Sequence, residues 1–208
     1  ETVPPVPYTL SDMASDVVGL LDFLKIDRAH IFGVSLGGMI AQVLTIEHPT
    51  RVRSLISVMS MTGEPEYGQS TPEAIGALLS ESPSDRVGYI EHSIVYQVYH
   101  SKKYRSDEFS KTSAARDFDR MYYPQGSNRQ LAAVYASGRR TEQLRAIKTP
   151  TLVIHGKDDT LISPSGGERT AELIPNAKFV LVEDMGHDMP KPLWGFLVEL
   201  ISDFVAKH

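Results

Sequence analysis

The chain has 208 residues, of which 41% are hydrophobic and 23% charged, and a formal net charge of -5 at pH 7. That length and balance describe one globular domain with room for a central core and an insertion, while a net negative charge without a basic, aromatic-interleaved stripe gives nucleic-acid binding little support. With no cysteine, disulfides and thiolate catalysis are excluded and no Cys/His cluster suggests zinc; no apolar run is long enough to span a bilayer and no signal peptide is visible, so a cytoplasmic location is the expectation.

In chain order, Glu1 to Pro7 is proline-rich and reads as an extended linker. Thr9 with Asp12 then makes a capping-box-like start to a helix, with Met13, Val17, Leu20, Leu21 and Leu24 on one face, so this helix should cover one side of a sheet. The short connection Asp27-Arg28-Ala29 leads into an apolar strand, Ile31-Phe32-Gly33-Val34. That strand runs into Ser35-Leu36-Gly37-Gly38 and a nearly all-apolar helix, Met39 to Ile46, ended by Pro49.

A serine between two glycines at a strand-to-helix junction is the pattern of a nucleophile elbow. The sharp turn exposes the hydroxyl, and Gly33 and Gly37 are expected as steric requirements of it. The same turn starts a helix at Leu36, whose backbone N–H lacks an intrahelical partner and is the expected donor to a substrate oxyanion.

Val52 to Met59 reads as a second strand, so a parallel α/β sheet is the natural architecture. From Thr62 the alternation stops, and helical segments follow with no convincing strand until Thr151. Their start signals are Thr71-Pro72, Ser84, Ser106, and Ser127 with Gln130. Residues 63–140 therefore read as a helical cap inserted into a core made of residues 1–62 and 141–208. Eight of the nine tyrosines fall in this insertion; some would line an amphipathic pocket, and most would be cap core or surface.

Alternation resumes with a third strand, Thr151 to His155, a helix from Gly166 to Ile174, and a fourth strand, Lys178 to Val182. A final helix carries Leu193, Leu197, Leu200, Ile201 and Phe204 at helical spacing and should pack across the sheet.

A serine hydroxyl is a poor nucleophile at neutral pH, so an elbow calls for a histidine base and a carboxylate that orients it. Gly156-Lys157-Asp158-Asp159 follows the third strand and Met185-Gly186-His187 follows the fourth, giving the chain order Ser35, Asp159, His187. Asp158 is the neighbouring candidate acid; spacing from Gly156 favours Asp159 and leaves Asp158 a solvated or turn-capping role. His155 reads as a packed strand-end histidine, and His30, His48, His92, His100 and His208 are assigned no chemistry.

In YTLSDMASDVVGLLDFL, HIFGVSLGGMIAQ, TPTLVIHGKDD and MGHDMP the chain resembles bacterial α/β-hydrolases of the aclacinomycin methylesterase-like group, almost end to end. The resemblance implies the α/β-hydrolase fold: a mostly parallel sheet flanked by helices with a helical cap. It also implies Ser35 as nucleophile, Asp159 as acid, His187 as base, a small-molecule ester as substrate, and no metal or organic cofactor. Members of the group carry further strands ahead of the first helix seen here, and a His-Gly motif on one of those loops donates a second oxyanion-hole bond. No His-Gly precedes Ser35 in these 208 residues, and His155-Gly156 lies on the strand leading to the acid, so it cannot stand in.

The leading reading is thus a serine carboxyl-ester hydrolase acting through an acyl-enzyme. A cofactor-free perhydrolase or C–C bond hydrolase on the same three residues is the enzymatic alternative, and a ligand-binding receptor or inactive scaffold the non-enzymatic one. Aspartate-nucleophile dehalogenases and epoxide hydrolases are disfavoured by serine at position 35. Because the group's elbow strand is internal, an N-terminal segment or a second chain is expected to complete the sheet; without one, residues 31–34 form an edge with unpaired backbone groups and apolar faces.

Overall fold

In the computed structural model, which describes residues 6–208, four parallel strands lie in the order β1 (Ala29–Val34), β2 (Val52–Val58), β3 (Thr151–Gly156) and β4 (Lys178–Val182). The proline-rich linker expected over residues 1–7 lies mostly outside the described residues. Parallel neighbours need crossover connections, and helices supply them. Helix α1 (Leu10–Phe23) precedes β1, α2 (Leu36–Glu47) joins β1 to β2, and α7 (Thr141–Arg145) leads into β3. Helix α8 (Ser165–Leu173) joins β3 to β4, and α9 (Trp194–Val205) follows β4.

Adjacent residues on a strand face opposite sides of the sheet. On β2, Leu55 packs with Ala41, Leu144 and Leu173 from α2, α7 and α8, while Ile56 joins Ile154, Leu197 and Phe204 in a cluster roofed by α9. Burying both faces in this way explains the unbroken run Leu152-Val153-Ile154 of β3, and on β2 it buries Ser54 and Ser57 as well. Truncating Phe204, 5% exposed, to Ala would cost about 3–5 kcal/mol.

The capping box at α1 forms as expected: Asp12 N donates to Thr9 Oγ1 at 3.3 Å and Thr9 N donates to Asp12 Oδ2 at 2.7 Å. The core-facing stripe of α1 is set differently, by Leu10, Ala14 and Leu21 with Met13 and Val17 beside them. Leu20 and Leu24, placed on that stripe by spacing alone, are 56% and 52% exposed, because the packing against α2 is centred on the N-terminal half of α1.

Between β2 and β3 the described chain contains helices and no strand: α3 (Pro72–Leu78), α4 (Arg86–His92), α5 (Asp107–Arg120) and α6 (Pro124–Ser137). Thr71 and Ser106 cap α3 and α5 by accepting from Ala74 N and Phe109 N. Two start signals are corrected. Asp85, not Ser84, caps α4, accepting from Gly88 N at 2.8 Å. Helix α6 starts at Pro124, whose fixed φ suits a first helical position, so Ser127 and Gln130 lie inside it. The insertion leaves and rejoins the core at one place, where Arg140 N donates to Thr62 O at 3.0 Å. The Arg140 guanidinium, buried there, donates to Gln42 Oε1 and Met61 O; burial lowers its pKa to about 10.

Among the described residues strand β1 pairs only with β2, and Phe32 on it is 45% exposed. Within the described residues the elbow strand is therefore a sheet edge, not an internal strand.

Candidate active site

Ser35 sits where β1 turns into α2, with φ 55 and ψ -120, a left-handed conformation that costs a non-glycine residue about 1–3 kcal/mol. The strained turn is anchored from both sides. Ser35 N donates to Val58 O at the end of β2, and Ser35 O accepts from Gly38 N and Met39 N at 2.9 and 3.2 Å. Of the two glycines expected to be sterically required, only Gly33 is: a Cβ there would lie 2.1 Å from Gly37 O. At Gly37 a Cβ would meet nothing within 4 Å, so that expectation is corrected. Leu36, the first residue of α2, has no intrahelical acceptor for its N–H.

The turns after β3 and β4 bring Asp159 and His187 to Ser35. His187 Nε2 lies 2.8 Å from Ser35 Oγ, and His187 Nδ1 lies 2.7 Å from Asp159 Oδ2. A carboxylate only accepts, so Nδ1 carries the proton and the Nε2 lone pair faces the serine hydroxyl. Asp159, 3% exposed, also accepts at Oδ1 from Leu161 N and Ile162 N, each at 2.9 Å. Burial alone would raise its pKa; hydrogen bonds from His155 and His187 outweigh that and hold it below the usual carboxylate range.

The insertion takes part in holding His187. His187 N donates to Tyr99 O at 2.7 Å, and the Tyr99 ring meets the imidazole edge-on with centroids 6.0 Å apart. Asp188 Oδ1 accepts from Ser101 N and Gly186 N, tying the two segments together. Tyr99 O and Ser101 N carry no sequence signal, because each is recruited through a backbone atom.

The remaining candidates lie apart from Ser35. Asp158 is partly exposed, 3.8 Å from Lys102. His30 and His92 bond Ser54 and Ser80. His155 is packed, as read from the sequence, yet its Nε2 also reaches Asp159 Oδ2 at 3.3 Å, which the sequence did not signal.

Ser35 opens on a cavity of about 300 Å³ between α2 and the insertion, lined by Leu36, Met39, Leu79, Leu131, Val134 and Leu161 among others, with no charged side chain among the described residues of its wall. Of the insertion's tyrosines only Tyr135 lines it. A larger hollow of about 770 Å³, walled by Tyr89, Tyr96, Tyr99 and Tyr104, does not include Ser35. Among the described residues no group of three or more His, Asp or Glu is placed to hold a metal ion, and no helix is long and apolar enough to cross a membrane.

A family model described as the alpha/beta hydrolase fold matches residues 2–190. RutD of Pseudomonas savastanoi pv. phaseolicola (strain 1448A / Race 6), a carbamate hydrolase by designation, is 26% identical over 88% of this chain and 70% of its own length. The 2-hydroxy-6-oxo-2,4-heptadienoate hydrolase of Pseudomonas putida is 25% identical over 97% of this chain and 72% of its own. The solved structure of the enol-lactonase from Burkholderia xenovorans LB400 superposes with a TM-score of 0.75 and 26% identity, covering 98% of this chain and 75% of that one. The chain thus spans about 70% of the length of the curated relatives it matches.

Proposed function

The chain belongs to the α/β-hydrolase fold family, a hydrolase family by its relatives, and from that premise we propose that it is a serine hydrolase cleaving an uncharged carboxylic ester through an acyl-enzyme. The observation that carries this reading is the continuous relay Ser35 Oγ, His187 Nε2, His187 Nδ1, Asp159 Oδ2, with steps of 2.8 and 2.7 Å, opening on an uncharged apolar cavity.

In this mechanism His187 Nε2 takes the Ser35 proton as Oγ attacks the ester carbonyl. The oxyanion that forms is held by Leu36 N–H. His187, its positive charge balanced by Asp159, gives the proton to the leaving alcohol, and the acyl group stays on Oγ. Water enters, loses a proton to His187 and attacks the acyl carbon, releasing the acid and restoring Ser35. Residues 63–140 act as the cap that shapes the cavity, and no cofactor takes part.

The relatives act, by name, on carbamates, enol-lactones and a dienoate. A dienoate is an anion and needs a cationic partner when buried; the cavity wall offers none, which favours a neutral ester over C–C bond cleavage. The open edge of β1 supports a further part of the proposal: a strand from a longer form of this polypeptide or from a second chain pairs with it. A panel of p-nitrophenyl esters of increasing acyl length tests the function. Turnover with a short-to-medium chain optimum is expected, and tight binding without turnover would replace the hydrolase by a receptor.

A further inference from the structure

His155 ends β3 and has no place in the relay, yet its ring is completely buried against the back of Asp159. Its Nε2 lies 2.8 Å from Ile162 O and 3.3 Å from Asp159 Oδ2. Both are acceptors, so Nε2 carries a proton; it is directed at Ile162 O, and Asp159 Oδ2 is a longer second neighbour of it. Nδ1 is buried without a partner; a second proton there would be an unpaired buried donor, so the ring is neutral. The chain makes room for this ring: at Gly167 on α8 a Cβ would lie 2.4 Å from His155 Nδ1.

We propose that His155 is a positioning residue, whose Nε2–H anchors Ile162, one of the two residues that hold Asp159 Oδ1, and, lying 3.3 Å from Asp159 Oδ2, places the positive end of an N–H dipole where it limits how strongly that carboxylate binds the His187 proton. Asp159 Oδ2 then accepts from His187 with the His155 N–H beside it, and Oδ1 accepts from two backbone donors. Three donors and one adjacent N–H dipole on a buried carboxylate stabilise its charged form and fix its plane. The inference rests on the assignment of Ser35, His187 and Asp159 as the reacting unit. Besides His155 and His187, the titratable groups facing Asp159 are Tyr99, whose pKa burial raises, and His100, whose pKa burial lowers; both are therefore neutral near pH 7.

The test compares His155→Leu, which keeps bulk and removes the donor, with His155→Gln, which retains an N–H. Without the His155 N–H beside it, Asp159 binds the His187 proton more tightly. The acidic limb of the kcat/KM profile in His155→Leu is therefore expected to move up by about half a pH unit, with kcat down about tenfold and KM unchanged. His155→Gln should keep the wild-type limb. An unmoved limb in His155→Leu, or the same shift in both variants, would overturn the proposal and leave His155 a packing residue. Should neither variant fold, nitrogen-15 NMR of histidine-labelled wild-type protein decides: a neutral Nε2–H tautomer across the activity range is expected, and a charged ring or an Nδ1–H tautomer overturns the proposal. Full hydrolysis by Ser35→Ala would sink the reacting unit itself, an outcome distinguishable from the tautomer result.

Discussion

The turns that follow β1, β3 and β4 and the helical insertion between β2 and β3 meet around Ser35, and they are built from different materials. In the turns, polar atoms are satisfied by nearby backbone: Ser35 N by Val58 O, Asp159 Oδ1 by Leu161 N and Ile162 N, Asp158 N by Met185 O. In the insertion, the wall facing Ser35 is made of side chains such as Leu79, Leu131 and Val134 that contribute shape and no charge. Reacting atoms held by backbone tolerate little change in the turns, whereas a side-chain wall can be resized without disturbing them. Under the proposed function the wall that sets selectivity is therefore separable from the reacting side chains, with Tyr99 O the point where the insertion also holds His187, and variants in each region should show it.

The largest effect is expected from Ser35→Ala, which removes the attacking oxygen and should lower ester hydrolysis by at least about 10⁴-fold without loss of fold, as read by kinetics and thermal melting. Asp159→Asn should lower kcat by about 10⁴-fold through the wrong His187 tautomer; Asp158→Asn should stay within about threefold, since surface changes away from special features are small. The reverse order would move the acid to Asp158.

Gly33→Ala sets a Cβ against Gly37 O and should destabilise the fold by about 3 kcal/mol or more, whereas Gly37→Ala, in the first turn of a helix and facing open space, should be neutral or stabilise by up to about 1 kcal/mol. Urea unfolding of both variants measures the contrast, and equal losses would contradict the elbow geometry. In the insertion, Leu131→Trp should cut turnover of the longest accepted acyl chain by about 10–100-fold while sparing acetate esters. A uniform loss across chain lengths would show that the wall does not act separately from the turns.

The smallest effect concerns pH. Asp159 has a folded pKa below its unfolded value of 3.8, so its contribution to stability is fully present above that value and is lost as pH falls through the lower folded one. The stability gap between wild type and Asp159→Asn should accordingly be constant near neutrality and narrow only below about pH 4.

How much could be read in advance differs between the same two regions. The strands, the capping box at Thr9 and Asp12, the elbow at Ser35 and the order Ser35, Asp159, His187 were legible because each is written in local chemistry: apolar runs of strand length, a cap three residues from its partner, glycine beside a sharp turn. The start of α6 was misread because a proline at a first helical position outweighed a serine with glutamine three residues on. Leu20, Leu21 and Leu24 read as one face of α1, and only the tertiary packing decided that Leu21 alone of the three is covered. That Gly37 faces open space, that Tyr99 offers its carbonyl to His187, and that His155 stands behind Asp159 depended on the approach of segments far apart in the chain. Local chemistry is encoded residue by residue and survives in the sequence. Contacts through backbone atoms, empty space or a buried ring leave no residue-type signature, because any side chain can carry the carbonyl that accepts or the gap that stays open, and only the packed tertiary structure selects them.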